Sequence, residues 1–191
     1  MATGIMERTT IDHPYRAVRR ELGFAVGHAD FTRALESLLG RIAPSALVEL
    51  ARDPPELARE KLGRMVGVSG LAIFQKIDHA AVLKALDGRD VPATTYVLGN
   101  ALLAFEMTRH DPVAGLYLPP RLFVGGTAAR GVRVTYDLPS ATLAQFCSPQ
   151  ISAVAASLDT KIEKLVAVAA ALATKTRPVR SSLGAAESSR R

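Results

Sequence analysis

The chain is poor in the residues that carry metal, redox and nucleic-acid chemistry. Its 191 residues include one cysteine, Cys147, and no tryptophan, and aromatic residues make up 5%. One cysteine excludes an intrachain disulfide and suits a reducing cytosol, so we expect a cytoplasmic protein. The histidines are scattered without zinc-like spacing, which predicts no metal site. No segment interleaves basic and aromatic residues, so specific nucleic-acid binding is not expected.

Long hydrophobic runs are also missing. No stretch of about 18 uncharged apolar residues occurs, so we expect no membrane span. The most apolar stretch, residues 151–173, is interrupted by Asp159, Lys161, Glu163 and Lys164. The first residues lack the apolar core of a signal peptide. Neither the Walker phosphate loop nor the Gly-x-Gly-x-x-Gly pattern is present, and no cofactor is predicted.

The composition that remains is that of an ordinary globular protein, with 48% hydrophobic and 22% charged residues. The net charge is +6, and five basic residues and one acidic residue lie between Lys175 and Arg191, so most of the surplus is at that end. We therefore predict a single domain over residues 16–174, a disordered N-terminus over 1–15, and a basic disordered tail over 175–191.

The first half of the chain alternates strand and helix patterns. Alternating apolar residues predict a strand over 20–26, and apolar residues at helical spacing predict a helix after it, with Asp30 as the N-cap. Residues 45–66 read as two short helices, the second capped by Asp53. An almost continuous apolar run predicts a central strand over 71–77, followed by a short helix.

The second half contains a strand, a hairpin and a long helix. A strand is expected over 94–98, with Asn100 as the cap of the next helix. Two strands flank glycine-rich residues 125–131 and predict an antiparallel hairpin. The last helix, over 151–173, carries a heptad seam of Ile151, Leu158, Leu165 and Leu172 with Ala155, Ile162 and Ala169 between them. We favour packing of this seam on its own sheet; the alternative is pairing with another chain.

These elements predict an α+β fold: a mostly antiparallel, curved sheet of about five strands backed by helices, with a long C-terminal helix. Within it, polar side chains follow the ends of two strands. Asp78 and His79 follow the strand over 71–77, and Gly99 and Asn100 follow the strand over 94–98. We expect these side chains to converge at one edge of the sheet and, with Tyr136, to line a ligand pocket.

Each candidate has a second interpretation that does not involve a ligand. His79 could serve as a general acid or base oriented by Asp78, or Asp78 could instead cap the following helix while His79 fills the turn. Gly99 and Asn100 could receive an anion, or form only a tight turn with an amide cap. Tyr136 could hydrogen-bond a ligand, or cover the edge of the core.

An ordered set of short segments spans about 70 residues from Leu71 onward and resembles a known family. It comprises Phe74-Gln75-Lys76-Ile77-Asp78-His79-Ala80, Leu98-Gly99-Asn100, Met107, Asp111-Pro112, Leu118-Pro119, Leu122-Phe123-Val124 and Val132-Arg133-Val134-Thr135-Tyr136-Asp137. The set resembles the bacterial and archaeal family called domain of unknown function 302. The resemblance implies a compact α+β domain, a curved antiparallel sheet backed by helices, and homodimers, but no activity. The chain departs from the family pattern at Ala101, where proline is usual, and in a longer helical insert over 43–70.

Three hypotheses about function follow. The first is a cytoplasmic homodimeric domain that binds a small anionic or amphipathic ligand through Asp78, His79, Gly99, Asn100 and Tyr136. The second is an enzyme in which His79 is the general acid or base and Asp78 orients it. The third is an interaction module that dimerises through the C-terminal helix.

Overall fold

The computed structural model describes residues 9–127 and 131–175 of the chain. The predicted disordered segments over 1–15 and 175–191 lie outside these residues, except for 9–15 and 175. The described residues form six strands: β1 (Arg19–Phe24), β2 (Gly40–Arg41), β3 (Ala72–Asp78), β4 (Ala93–Gly99), β5 (Arg121–Gly126) and β6 (Val132–Asp137).

The six strands form one sheet in the order β1-β6-β5-β4-β3-β2. All neighbouring pairs are antiparallel except β2 and β3, which are parallel. β5 and β6 form the predicted hairpin, and β1 returns to pair with β6 at one edge of the sheet.

In the described part of the chain, seven α-helices connect or cover the strands: α1 (His28–Ser37), α2 (Pro44–Leu50), α3 (Pro55–Met65), α4 (Ala80–Asp87), α5 (Ala101–Thr108), α6 (Pro139–Leu143) and α7 (Pro149–Lys175). α1 and α5 both pack against α7. None of the helices in the described part of the chain is both long enough and apolar enough to cross a membrane. The predicted α+β class, with a mostly antiparallel sheet, helical backing and a long C-terminal helix, is confirmed.

The heptad seam of α7 lies in the core of its own domain. Ile151, Ala155, Leu158, Ile162, Leu165 and Ala169 are all buried, while Leu172, at the end of the seam, is 36% exposed. Each fully buried leucine or isoleucine contributes about 1.5–3 kcal/mol relative to an exposed one. The favoured interpretation of the seam, packing within its own chain, is therefore confirmed.

Alternation along the strands gives the sheet two different faces. In β5, Leu122 and Val124 point to the core, so Arg121 and Phe123 point to the opposite side. The same alternation in β1 and β6 turns Arg19, Glu21, Arg133, Thr135 and Asp137 away from the helices. We call this solvent-exposed side of β1, β6, β5 and β4 the open face.

The sheet has one more strand than the sequence predicted, and β3 is not fully central. The additional strand, β2, has only two residues and pairs with Ala72 and Ile73. Beyond Ile73, β3 has a neighbour on one side only, and Gln75 and Lys76 are exposed. A two-residue strand carries too little alternation to be recognised from sequence.

Two predicted helix caps are wrong. α1 begins at His28 after Gly27: the amide of Phe31 donates to the Gly27 carbonyl, and the Phe31 ring is buried in the core. Asp30 lies in the first turn of α1, where a negative charge is still favoured by the helix dipole. α3 begins at Pro55, and Asp53 forms an ion pair with Lys61 at 2.7 Å in place of capping.

A close crossing of two segments fixes where α3 ends. A Cβ atom at Gly40 would lie 1.9 Å from the carbonyl oxygen of Met65, and one at Gly67 would lie 2.4 Å from the carbonyl oxygen of Leu38. Only glycine allows the two backbones to approach this closely. The crossing holds residues 67–70 against the end of α1.

Candidate functional site

Asp78 and His79 lie at the end of β3, but their side chains have separate partners. The carboxylate of Asp78 accepts a hydrogen bond from the amide of Ala80, the first residue of α4, at 2.9 Å. His79 Nε2 lies 3.0 Å from Thr95 Oγ1 on the neighbouring strand. No hydrogen bond or ion pair joins the two side chains among the described residues, so Asp78 is not placed to orient His79.

Asn100 follows β4 and has two functions in the fold. Its side-chain oxygen accepts hydrogen bonds from the amides of Leu102 at 2.8 Å and Leu103 at 3.3 Å, so the predicted cap of α5 is confirmed. Its side-chain nitrogen donates to the carbonyl of Gly70 at 2.9 Å. Asn100 therefore holds the loop that precedes β3. The neighbouring Gly99 is buried, and a Cβ atom there would lie 3.1 Å from Pro119 Cβ.

The predicted convergence of His79 and Asn100 is wrong. β3 and β4 are antiparallel, with Asp78 opposite Thr94 and Ala72 opposite Gly99. The residues that follow the two strands therefore lie at opposite ends of this strand pair. The rise per residue along a strand of this length puts them about 20 Å apart. Convergence would have required parallel strands, and whether each residue binds a ligand stays a prediction.

Tyr136 lies on a third part of the sheet and points to the helices. It is opposite Leu122 and Arg20 and is 3% exposed. Burial raises the pKa of Tyr136, and the nearby Arg20 guanidinium partly opposes this shift. Its hydroxyl is buried without a hydrogen-bond partner in the described residues. Tyr136 therefore belongs to the core, and its side chain is separated from both His79 and Asn100.

A cleft of about 430 Å³ lies between α7 and the loop over residues 67–70. We call it the α7 cleft. Its residues come from the end of α1, the loop and one side of α7, and they combine apolar side chains with two lysines: Leu38, Val68, Ser69, Gly70, Lys161, Lys164, Leu165 and Val168.

The loop side of the α7 cleft is held by hydrogen bonds. The hydroxyl of Ser69 donates to the carbonyl of Leu38 at 2.8 Å, and the amide of Gly70 donates to the carbonyl of Gly67 at 2.8 Å. Gly70 has a positive φ of 72°, which favours glycine. With the bond from Asn100, these contacts give the cleft a preformed wall.

The α7 side of the cleft supplies positive charge. Lys161 Nζ would lie 3.3 Å from a Cβ atom built on Gly70, so its ammonium group stands over the loop. Within the described residues, neither Lys161 nor Lys164 forms an ion pair, whereas Lys61, Lys76 and Lys84 each have a carboxylate partner. The cleft thus joins two uncompensated ammonium groups to an apolar wall.

A broad hollow of about 580 Å³ lies on the open face. Its rim carries Arg19, Glu21, Arg133 and Asp137, which form the pairs Arg19–Asp137 and Arg133–Glu21, each at 3.5 Å. Arg121 also lines the hollow and has no carboxylate partner in the described residues. Thr95, which contacts His79, lies at its margin.

Sequence reasoning missed the two lysines as site residues. In the sequence, Lys161 and Lys164 stand out only as charged residues that interrupt the apolar stretch over 151–173. Their spacing puts them on neighbouring turns of α7, beside the seam residue Leu165, and that spacing was a usable signal. The other wall of the cleft could not have been paired with them, because it is about 90 residues earlier in the chain.

No group of three histidine, cysteine, aspartate or glutamate side chains is arranged to hold a metal ion within residues 9–127 and 131–175. The pKa of His28 is lowered by burial, and Nε2 of its ring has no hydrogen-bond partner in the same residues.

Comparison with known proteins identifies a family but no activity. The family model for Domain of unknown function DUF302 matches residues 46–169. A crystal structure of an uncharacterized conserved protein DUF302 from Bacillus stearothermophilus is similar, with a TM-score of 0.56 and 14% sequence identity. That similarity covers 79% of this chain and 97% of the other. At this identity it supports the fold alone. No curated protein matches the chain.

Proposed function

The chain belongs to the family of Domain of unknown function DUF302, and we propose that it binds a small amphipathic anion in the α7 cleft. The observation that carries the proposal is the pair Lys161 and Lys164, which lacks a carboxylate partner in the described residues and adjoins apolar side chains. The expected ligand has one anionic head group and a short alkyl or alicyclic body.

The size and lining of the cleft support this ligand class. Its volume of about 430 Å³ lies in the range of roughly 300–1,000 Å³ typical of small-molecule sites. Leu38, Leu165 and Val168 would contact the apolar body of the ligand, and burial of that body would contribute about 25 cal/mol per Å². The exposed side chain of Val68 stands at the loop wall and would gain contacts on binding.

The head group would lie between the lysines and the loop. The hydroxyl of Ser69 donates its proton to the carbonyl of Leu38 and accepts from the amide of Leu71, so it has no proton to donate to a carboxylate. The charge of the head group is therefore matched by the ammonium groups alone. This predicts a preference for a charged carboxylate over an alcohol of the same length.

The test is a calorimetric titration of the protein with sodium octanoate and, separately, with 1-octanol. We expect octanoate to bind more tightly than octanol, and the double variant Lys161→Gln/Lys164→Gln to weaken octanoate binding about tenfold, or ~1.4 kcal/mol. The matched control is Lys84→Gln, which removes a lysine on α4 paired with Asp90. Equal binding by the double variant and the control, at unchanged thermal stability, would reject the proposal.

The other two hypotheses receive less support. In the enzyme hypothesis Asp78 orients His79, but the Asp78 carboxylate is bonded to the amide of Ala80. In the interaction-module hypothesis the seam of α7 pairs with another chain, but its apolar residues are engaged in the monomer core. The homodimer and the cytoplasmic location stay predictions, and sedimentation equilibrium with cell fractionation would test them.

A further inference from the structure

We propose that the open face is a second binding site, which takes a flat aromatic anion. The site is separate from the α7 cleft, because α7 packs on the opposite side of the sheet. It is formed by strands β1, β6, β5 and β4, whose outward side chains line the hollow of about 580 Å³.

The floor of this hollow is suited to a flat ring. Phe123 lies between Thr135 and Thr95 across the sheet, and all three side chains point outward. A Cβ atom at Gly125 would lie 2.8 Å from Phe123 Cε1, so the ring lies along the strand over this glycine. The aromatic ring therefore presents a surface on which a second ring can stack, and such contacts contribute about 0.5–1.5 kcal/mol beyond area burial.

Two glycines on the neighbouring strands add no side chain to this part of the open face. Arg133 is opposite Gly23 on β1 and Gly125 on β5. A Cβ atom at Gly23 would meet nothing within 4 Å, so space is open above that strand. A ring stacked on Phe123 could extend toward this space alongside Arg133, whose side chain lies between the two glycines.

The charge of the face favours an anion. Arg19 and Arg133 are offset by Asp137 and Glu21, in exposed pairs that are each 3.5 Å apart. Such exposed pairs are weak, so their guanidinium groups can shift toward a ligand at little cost. Arg121 has no carboxylate partner in the described residues and supplies the surplus charge. A guanidinium binds a carboxylate or sulfonate through two parallel hydrogen bonds.

A small molecule fits this face better than a nucleic-acid strand. Single strands are held by several aromatic side chains on which successive bases stack. In the described residues of β4, β5 and β6, Phe123 is the aromatic residue that points outward, while Tyr96 and Tyr136 are buried on the helix side. Among the described residues of this face, one stacking surface and one guanidinium without a carboxylate partner suit one ring with one anionic group.

The test is a two-dimensional amide NMR titration with sodium naphthalene-2-sulfonate, and with uncharged 2-naphthol for comparison. We expect shift changes in β5 and β6 and tighter binding of the sulfonate. Arg121→Gln should weaken sulfonate binding about fivefold and leave 2-naphthol unaffected, while Phe123→Leu should weaken both. Arg33→Gln is the control, because Arg33 is an exposed arginine of α1 on the other side of the sheet.

Two outcomes of the sulfonate titration would overturn the proposal. One is sulfonate binding by Arg121→Gln equal to that of the control. The other is a pattern of shifts confined to α7 and residues 67–70, which would mean that the probe enters the α7 cleft. The Lys161→Gln/Lys164→Gln variant separates the two sites, since it should lose octanoate affinity and retain sulfonate affinity at the open face. A titration with a thymidine dodecamer that shifts the same residues more strongly than the sulfonate would also reject a small-molecule site.

Discussion

The hydroxyl of Tyr96 donates a hydrogen bond of 2.8 Å to the carboxylate of Glu36, across the contact between β4 and α1. The same carboxylate accepts from Lys76 at 2.7 Å and forms an ion pair with Arg41 at 3.1 Å. These partners outweigh burial and lower the pKa of Glu36, while burial and Glu36 raise the pKa of Tyr96. One glutamate of α1 thus links the helix to three strands.

The free energy of unfolding should depend on pH in acid through the titration of Glu36. Because its folded pKa lies below the ordinary value of 4.5, its contribution is present above pH 4.5 and is lost as the pH falls through the folded pKa. We expect Glu36→Gln to lower the free energy of unfolding at neutral pH and to flatten its decline in acid, measured by urea unfolding from pH 7 to pH 3. Glu49→Gln, at an exposed glutamate of α2 without an ion pair in the described residues, should retain the wild-type decline.

Removal of the Tyr96 hydroxyl should also lower the free energy of unfolding. In Tyr96→Phe the ring stays in the core, but Glu36 loses a hydrogen bond. We expect a loss of about 1–2 kcal/mol in the free energy of unfolding at pH 7, from urea titration. The loss should shrink when Tyr96→Phe is combined with Glu36→Gln, and a strictly additive pair would contradict the coupling.

Asn100 offers a way to separate helix capping from support of the α7 cleft. Asn100→Ala removes all three side-chain hydrogen bonds and should cost about 1–2 kcal/mol of stability. Asn100→Asp keeps an oxygen that caps α5 but removes the donor to Gly70. We expect Asn100→Asp to retain most of the stability and still to weaken octanoate binding several-fold by calorimetry. Normal octanoate affinity in Asn100→Asp would show that the loop does not depend on this bond.

Gly67, at the crossing of residues 38–40 and 65–67, should not tolerate substitution. A Cβ atom at Gly67 would lie 2.4 Å from Leu38 O and 2.5 Å from Leu39 C, so Gly67→Ala must separate two backbones. We expect a loss of more than about 2 kcal/mol, since overpacking alone costs ~1–3 kcal/mol. Gly63→Ala in α3 meets nothing within 4 Å and should stabilise slightly, because alanine favours a helix. Thermal unfolding of the two variants gives the comparison.

The seam of α7 should behave as core and not as an interface. Leu158 is buried, so Leu158→Ala should cost about 2–5 kcal/mol, and Leu158→Glu should prevent folding. Thr160→Ala, on the exposed side of α7, should change stability by less than about 0.5 kcal/mol. Circular dichroism and sedimentation together distinguish unfolding from dissociation. A folded monomeric Leu158→Glu variant would instead favour the interaction-module hypothesis.

Local features of the fold could be predicted from sequence because they depend on neighbouring residues. The hydrogen bonds that the amides of Leu102 and Leu103 donate to the Asn100 side chain are local, and the seam of α7 repeats within one helix. The glycine-rich segment between β5 and β6 predicts their pairing for the same reason. The predicted N-cap of α1, Asp30, is three residues past the observed one, Gly27, because the start of the helix depends on where Phe31 enters the core.

The candidate site could not be predicted in the same way. His79 and Asn100 each follow a strand, as expected. The C-terminal ends of the two strands do not meet, however, because β3 and β4 are antiparallel. Strand direction is a property of the pairing and cannot be read from either segment. In the α7 cleft the ammonium group of Lys161 lies over Gly70, although the two residues are far apart in the chain, and this placement comes from the packing of α7 beside the loop.

The amino-acid sequence by itself determined most of the elements, the buried side of the long helix, and the absence of an intrachain disulfide, because periodicity, capping and composition act over a few residues. Tertiary structure alone decided the order and direction of the strands, the separation of His79 from Asn100, and the meeting of two lysines with an apolar wall. Those outcomes depend on which distant surfaces bury the most area together, and a local pattern contains no information about that choice.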